Sequence, residues 1–397
     1  SAVRGAAIAE GHPVDLDALN RQMIAWRRDL HAHPEFGTEE RRTSAFVAAT
    51  LRSFGVDEVV EGVGGTGVVG TIRRGTANRA IALRADMDAL RLTETAARAH
   101  ASIVPGTMHA CGHDGHTAML LGAARMLVEA ARFDGTVRLV FQPAEEWGKG
   151  ALAMLDDGLL DRFPFEEIYG LHNMPGLPVG HFQTRPGPLM SAEDNFEILL
   201  KGLGGHAARP QLTSEVLVAA CATVMNLQTI VARRLDPTDI AVVSVTELLT
   251  DGIRNALPGT ARILGDARSF RPEVSAEIER QMRIVARGTA EAYGVAADVT
   301  YTREFVPLLN DPAMTEEALA AARGVFGPAR VGVRTDPWTA SEDFAQFLRR
   351  VPGCFALVGN GADSLPLHNP GYDFNDDGLM LGAKYFVALC ERRLPLP

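Results

Sequence analysis

The sequence predicts an α/β protein: a main domain built on a central sheet flanked by helices, interrupted by a smaller α+β domain. Three observations predict it. Strand-like and helix-like segments alternate through the first third of the 397-residue chain. A self-contained β-α-β-β-α-β series runs over residues 195–301. Alternating character then returns near Pro307 and continues toward the C-terminus. Such alternation argues for layered α/β architecture, and a chain of this length exceeds what one hydrophobic core usually serves.

Residues 15–33 carry apolar side chains at helical spacing and stop at His33-Pro34, because proline biases the residue before it out of the helical region. Residues 43–54 read as a second helix. Residues 66–73 and 80–84 read as strands, the second a short apolar run of the kind buried on both faces. Asp114 is expected to cap a helix over 118–131, rich in Ala, Leu and Met, since a short acceptor side chain satisfies free N–H groups of a first turn. Residues 136–141 and 167–171 are the next strands.

After Gly187-Pro188 the pattern changes. Strands are expected at 195–200, 240–248, 261–270 and 297–301, with helices at 213–233 and 272–293. The second helix opens on a proline, which a first turn tolerates. That order is the split ferredoxin-like unit. The domains are therefore 1–187 with 304–397, and an inserted lid, 188–303. The linkers lie near Gly187-Pro188 and at 305–307.

Hydrophobic residues make up 46% of the chain and charged residues 22%, the mix of an ordinary globular protein. The formal net charge is -10. Basic residues come as scattered doublets, Arg27-Arg28, Arg41-Arg42, Arg73-Arg74 and Arg233-Arg234, which read as solvated faces. They form no basic stripe, so nucleic acid is not an expected partner. Four widely spaced cysteines do not make a disulfide scaffold and fit a reducing cytoplasm. No basic-then-apolar leader opens the sequence and no apolar run reads as long enough to span a bilayer, so no membrane partner and a cytoplasmic location are expected.

Chemistry concentrates at residues 108–116, MHACGHDGH, which hold three histidines, a cysteine and an aspartate. Thiolate, neutral imidazole and carboxylate are the ligands of zinc-like and manganese-like ions. Cys111 and His113 stand two apart, so in an extended segment both point the same way. His109 shares that parity and His116 falls at the start of the next helix; both read better as packed or hydrogen-bonded groups. Glu145 and Glu146 follow a buried-looking strand, where a carboxylate pair is costly unless ions neutralise it. In extended chain the two point apart, so one can bind metal while the other faces substrate as a general base. His172 ends a strand, and His368 lies in a loop bounded by Pro and Gly. Five candidate ligands, Cys111, His113, Glu146, His172 and His368, exceed the four of a closed structural zinc site. They suit two divalent ions sharing a ligand, which together activate water and polarise a carbonyl. Zinc, manganese, cobalt and nickel all accept such a set.

The stretches RRDLHAHPEFGTEE, RADMDAL, GTMHACGHDGHTAMLLGAA, QPAEE, GLHNMPGLPVG, KGLGGHAARP, SEDF and LHNPGYDFND span nearly the whole chain in order. Through them the sequence resembles the aminoacylase and carboxypeptidase family of metallopeptidases, in particular the branch of hippurate hydrolases and auxin-conjugate amidohydrolases. The resemblance implies a metal-bearing catalytic domain interrupted by a lid of the kind that pairs with a second copy. It implies that Cys111, His113, Glu146, His172 and His368 hold one or two divalent ions and that Glu145 is the general base. Asp88 matches an aspartate that orients a metal ligand, and His206 a lid histidine that approaches the scissile carbonyl oxygen. Asn255 and Arg268 match lid residues that hold a substrate carboxylate, a task suited to arginine's planar fork.

The chain also departs from the branch. Arg209-Pro210-Gln211 stands where Met-Pro-His is usual, Arg91 replaces a proline after RADMDAL, and residues 95–102 are unfamiliar. Arg209, close to the lid histidine, suggests a further anionic group on a small, carboxylate-bearing substrate. The resulting expectation is a metal-dependent hydrolase of an N-acyl amino acid or similar small amide. Hydrolytic deamination of an activated aromatic amine uses the same kind of site and is the nearest alternative. A non-catalytic metal- or ligand-binding protein is the third reading, and Glu145 argues against it, because a binder needs no base.

Overall fold

The computed structural model describes residues 14–397. The chain opens with helices α1 (Leu16–Ala32) and α2 (Arg41–Phe54), followed by strands β1 (Glu58–Val63), β2 (Gly67–Arg74) and β3 (Ala80–Asp86). Helix α3 (His113–Glu129), strand β4 (Gly135–Gln142) and short helices α4 (Gly150–Asp156) and α5 (Leu159–Arg162) follow. Next come β5 (Glu167–Pro175), β6 (Phe182–Thr184) and β7 (Gly187–Met190). Strands β8 (Glu193–Lys201) and β9 (Gly205–His206) lead to α6 (Val216–Thr229), then β10 (Ala241–Thr250), β11 (Ala256–Leu257) and β12 (Thr260–Ser269). Helix α7 (Pro272–Ala292) precedes β13 (Ala296–Phe305), β14 (Leu308–Asn310) and α8 (Pro312–Phe326). The last elements are β15 (Val331–Val333), α9 (Ala345–Leu348), β16 (Gly353–Gly361) and α10 (Leu379–Arg393).

Two compact units result. The first comprises residues up to Gly187, Asn310–Thr335 and Gln346–Pro397. Its sheet has eight strands in the order β1-β2-β4-β3-β5-β16-β6-β15. The central strands β4, β3, β5 and β16 run parallel, and β3 is buried along its whole length, as a strand covered on both faces must be. Helices α1 and α2 are amphipathic, whereas α3 is buried over most of its length. In α1 the Asp15 carboxylate accepts the Ala18 N–H at 3.0 Å, an N-cap, and Leu19, Met23, Trp26 and Leu30 face inward.

The second unit comprises Pro188–Leu309 and Asp336–Ala345. Its antiparallel sheet has the order β10-β12-β8-β13. With α6 and α7 this is the β-α-β-β-α-β arrangement expected, plus a small β9–β11 pairing. Its core includes Phe196, Ile198, Leu200, Ile263, Ile278 and Met282.

Several local expectations change. The helix after the cluster begins at His113 with Gly112 as its cap, not with Asp114; the Asp114 carboxylate instead meets His31 at 2.9 Å and Arg27 at 3.4 Å. A buried carboxylate is held by buried cations more strongly than by a neutral first turn. Arg27 is therefore no solvated doublet member: it is 1% exposed, with Asp373 and Asp376 each at 2.8 Å. Residues 304–309 and 336–345 belong with the second unit, beyond the sequence-derived boundary. Backbone bonds join Ser191 N–H to Ala340 O and Trp338 N–H to Leu189 O, pairings between segments far apart in the chain. One helical stretch, Val216–Arg234, is long and apolar enough to cross a membrane by length and composition. Its residues Val216, Ala219, Ala220, Leu227 and Ile230 pack in the core of the second unit, whereas Leu217, Val218, Met225 and Val231 are exposed, so core packing accounts for only part of that apolar character.

Candidate metal centre

Ligand-type side chains gather in the first unit beyond the carboxyl ends of β3, β4 and β5, where open α/β sheets commonly bind ligands. Asp86 ends β3, with Asp88 just after it; Glu145 and Glu146 follow β4; His172 lies in β5. Cys111 and His113 open α3, and His368 comes from the loop after β16.

The atoms meet closely. Cys111 Sγ lies 3.4 Å from His172 Nε2, and His368 Nε2 lies 3.3 Å from Glu146 Oε1. His113 Nε2 stands 3.9 Å from both Glu145 Oε2 and Glu146 Oε1. Ligand atoms of Cys111, His113 and His172 all fall within 4.8 Å of one another, and so do those of Cys111, Glu146 and His368. Cys111 belongs to both trios. All five sequence-predicted ligands are thus brought together, in two groups that share the thiol.

The route differs from the expected one. Residues 111–113 are not extended: Gly112 takes φ +91°, and a Cβ there would meet Asn173 Oδ1 at 2.3 Å. Only glycine fits this left-handed kink against Asn173, and the kink brings Cys111 and His113 to one site. Glu145 and Glu146 are not extended either. Ala144 adopts φ +49°, held by its N–H to Glu40 Oε1 at 2.8 Å. The glutamates then open a 3₁₀ turn, where successive side chains diverge by about 120°. Non-glycine residues in this region are strained and cluster at functional sites; His368, at φ +63°, is another.

The hydrogen bonds leave one ring nitrogen of each of two imidazoles facing the cluster. His113 Nδ1–H faces the Asp88 carbonyl oxygen at 2.9 Å and Oδ1 at 3.1 Å. Its Nε2 is buried without a hydrogen-bond partner. His172 Nδ1–H donates to the Asn173 carbonyl at 2.7 Å, leaving Nε2 toward Cys111. A ligating imidazole is oriented in this way through its other nitrogen. Asp88 also accepts the Glu146 N–H at 3.0 Å, so one aspartate bonds to two candidate ligands.

Electrostatics agree. Burial lowers His113, but Asp86, Asp88 and Glu146 outweigh it and pull the imidazole up to about 10. Burial lifts the Cys111 thiol well above its usual range, and the carboxylates of Glu146, Glu145 and Asp86 lift it further. Burial, and next His116, hold His172 well below the ordinary histidine range, so it is neutral. A surplus of buried negative charge beside a thiol and imidazoles suits divalent cations.

The other histidines of the cluster are not in either trio. The Asn173 N–H donates to His116 Nε2 at 3.1 Å, while His116 Nδ1 faces Asp86 Oδ1 at 2.6 Å. His109 is buried and forced down to about 3, chiefly by desolvation. Sequence reasoning missed Asp86. It is fully buried, bonded to Arg84 at 2.8 Å, and 3.7 Å from His113 Nε2. The paired aspartates of RADMDAL were the available signal.

Four predicted residues lie in the second unit. His206 in β9 pairs with Ala256 in β11, and Asn255 O accepts the Ala207 N–H at 3.1 Å. The Ala208 N–H donates to His206 Nδ1 at 3.0 Å, so in the neutral ring Nε2 carries the proton. Arg209 is exposed and closes a turn through its N–H to His206 O. Arg268 is already engaged: Asp266 at 2.9 Å, Ser341 Oγ at 2.9 Å and Glu193 at 3.0 Å.

Comparison with known proteins identifies the family. The profile of Peptidase family M20/M25/M40 matches residues 82–392. N-acetyl-L-cysteine deacetylase of Bacillus subtilis (strain 168) is 38% identical over 390 residues, covering 97% of this chain and 91% of its own. Hippurate hydrolase of Campylobacter jejuni is 36% identical over 368 residues, covering 93% of this chain and 95% of its own. The crystal structure of the Bacillus subtilis YXEP protein, a dinuclear metal binding peptidase, superposes with TM-score 0.84 at 33% identity, covering 95% of this chain and 99% of that one. On the strength of that profile and these relatives, the chain belongs to Peptidase family M20/M25/M40.

Proposed function

We propose that this protein is a metal-dependent amidohydrolase that cleaves the amide of an N-acyl amino acid. The observation that carries the reading is the shared thiol: Cys111 stands in two ligand trios, with the Glu145 carboxylate beside them. Cys111, His113 and His172 would hold one ion, and Cys111, Glu146 and His368 the other. Bound ions of this kind lower the pKa of water and polarise a carbonyl; zinc and manganese both suit these ligands. Glu145 takes the proton of the attacking water and passes it to the leaving amine. Asp88 keeps His113 and Glu146 in place. His206, whose Nε2–H is set by the Ala208 N–H, donates to the developing oxyanion. Asn255, Arg209 and Arg268 receive the substrate carboxylate, Arg268 by exchanging a bond to Glu193 or Asp266. The names of the deacetylase and hippurate hydrolase relatives support acetyl- and benzoyl-amino acids as the first substrates to test.

The second unit also supports a homo-oligomer. Strand β10 is the edge of its sheet, and Val242, Leu248 and Leu249 on it are exposed. An exposed apolar edge strand is a template for pairing with another chain, and a second copy satisfies it with two-fold symmetry. All four cysteines are free, in keeping with a cytoplasmic location.

The test is amine release from N-acetyl and N-benzoyl amino acids and from aromatic amines, by metal-free protein and by protein reloaded with Zn²⁺ or Mn²⁺. Activity that disappears with the metal and returns with it supports the reading. Full activity in verified metal-free protein, or turnover of aromatic amines alone, overturns it.

A further inference from the structure

We propose that Arg98, in the segment that departs from the family pattern, is a positioning residue for the loop that carries His368. The proposal rests on the two-ion reading above and names what holds its most exposed ligand. His368 lies on a stretch without helix or strand between Gly361 and Asp376. Its side chain is 54% exposed and its backbone left-handed, φ +63°. The other four ligands are buried or nearly so and sit in, or beside, regular elements. Entropy therefore disfavours a fixed His368 unless the loop is tied down elsewhere.

The His368 N–H donates to the Ala110 carbonyl at 2.8 Å and Arg27 holds Asp373 at 2.8 Å; Arg98 fixes the backbone between these two anchors. Its guanidinium donates to the carbonyls of Tyr372 and Gly371, each at 2.9 Å, and pairs with Asp373 at 3.0 Å. The same segment adds the Thr95 N–H to Pro370 O at 2.9 Å and His100 Nε2 to Asp373 at 3.1 Å. Glu94, 3.4 Å from the Arg98 Nε, holds the guanidinium from behind. Four consecutive residues, Pro370 to Asp373, are thus gripped from residues 95–100, two positions beyond His368. The two carbonyls are met by two separate nitrogens of one rigid plane; the single nitrogen on a flexible lysine stem does not reproduce that spread. The clamp bonds directly to neither trio. It reaches the second trio through His368 and the first only at one remove, through the Tyr372 hydroxyl that accepts from the Asn173 amide.

The consequence is selective. Loss of Arg98 should weaken the ion bound by Cys111, Glu146 and His368, roughly tenfold to hundredfold as for other supports of a ligand. It should spare the ion bound by Cys111, His113 and His172. The experiment titrates metal-free full-length protein with Zn²⁺ against a chromophoric chelator, resolving two affinities, for the parent, Arg98→Leu, Arg98→Lys, His368→Ala and Arg98→Leu combined with His368→Ala. Support is a weakened second ion in both Arg98 variants, an unchanged first ion, and a combined variant no worse than His368→Ala. Parent affinities in Arg98→Leu overturn the clamp, as does equal weakening of both ions, which marks general structural damage. Full recovery in Arg98→Lys also overturns it, since charge alone would then suffice. A parent that binds no second ion overturns the two-ion reading itself, so the two failures are distinguishable.

Discussion

Asp88→Ala is the most informative single change, because one carboxylate supports ligands on both sides of the site. Asp88 is 1% exposed. Its Oδ2 accepts the Glu146 N–H at 3.0 Å, and its Oδ1 faces His113 Nδ1 at 3.1 Å. The alanine leaves the Glu146 N–H without an acceptor in a poorly hydrated place, a loss of about 1–3 kcal/mol. His113 loses less. Its Nδ1–H keeps the residue 88 carbonyl, 2.9 Å away, so about 0.5–1.5 kcal/mol is expected there. Together the metal-free protein should lose about 1.5–4.5 kcal/mol. Part of that is offset at Glu40, whose buried carboxyl is raised by desolvation and next by Asp88. Metal affinity should fall roughly tenfold to hundredfold, and more on the Glu146 side than on the His113 side. Urea denaturation of the metal-free form and Zn²⁺ competition measure the two effects. Stability within about 0.5 kcal/mol of the parent, the range of an ordinary surface change, together with parent metal affinity would refute the reasoning.

Three further outcomes are expected. Glu145→Gln should keep its metal and lose about two to four decades of rate, the usual share of a general base; metal loss instead would show that the two glutamates have exchanged roles. In metal-free protein both the Cys111 thiol, raised far above its usual range, and His113, raised to about 10, are protonated at neutral pH. Ion binding must expel those protons, so affinity should climb as pH rises toward 10; calorimetry in buffers of different ionisation enthalpy should find proton release, to which His368, raised by its bond to Glu146, also contributes, and none would remove both groups from the ligand set. His206→Ala should lower kcat by about 10²–10³ with metal content unchanged, as loss of one oxyanion donor does; an unaltered kcat would end that assignment.

The candidate ligands and the candidate base are legible in the chain because their chemistry is scarce and their spacing tight. Cys111, His113, Glu145, Glu146, His172 and His368 can each be named from a short motif. Geometry within those motifs is less legible. Extended chain was the natural expectation for residues 111–113 and 145–146, yet Gly112 and Ala144 turn left-handed there. Local pattern carries no sign of such turns, since Glu40 and Asn173 are what they accommodate. Arg27 misled for the same reason: a doublet looks solvated until partners 346 and 349 residues away are folded against it.

By itself the sequence determined the α/β class, the principal strands and helices up to residue 301 and the identity of the candidate ligands. Those follow from hydrophobic period and side-chain chemistry, which are properties of a few neighbouring residues. Tertiary structure alone decided that Cys111 serves two trios, that Asp88 braces both His113 and Glu146, that Asp114 pairs with His31 and not with a helix end, and that Arg98 grips the His368 loop. Each of these depends on which buried charge or lone pair finds a partner at hydrogen-bond distance, and the three-dimensional path of the chain sets that distance.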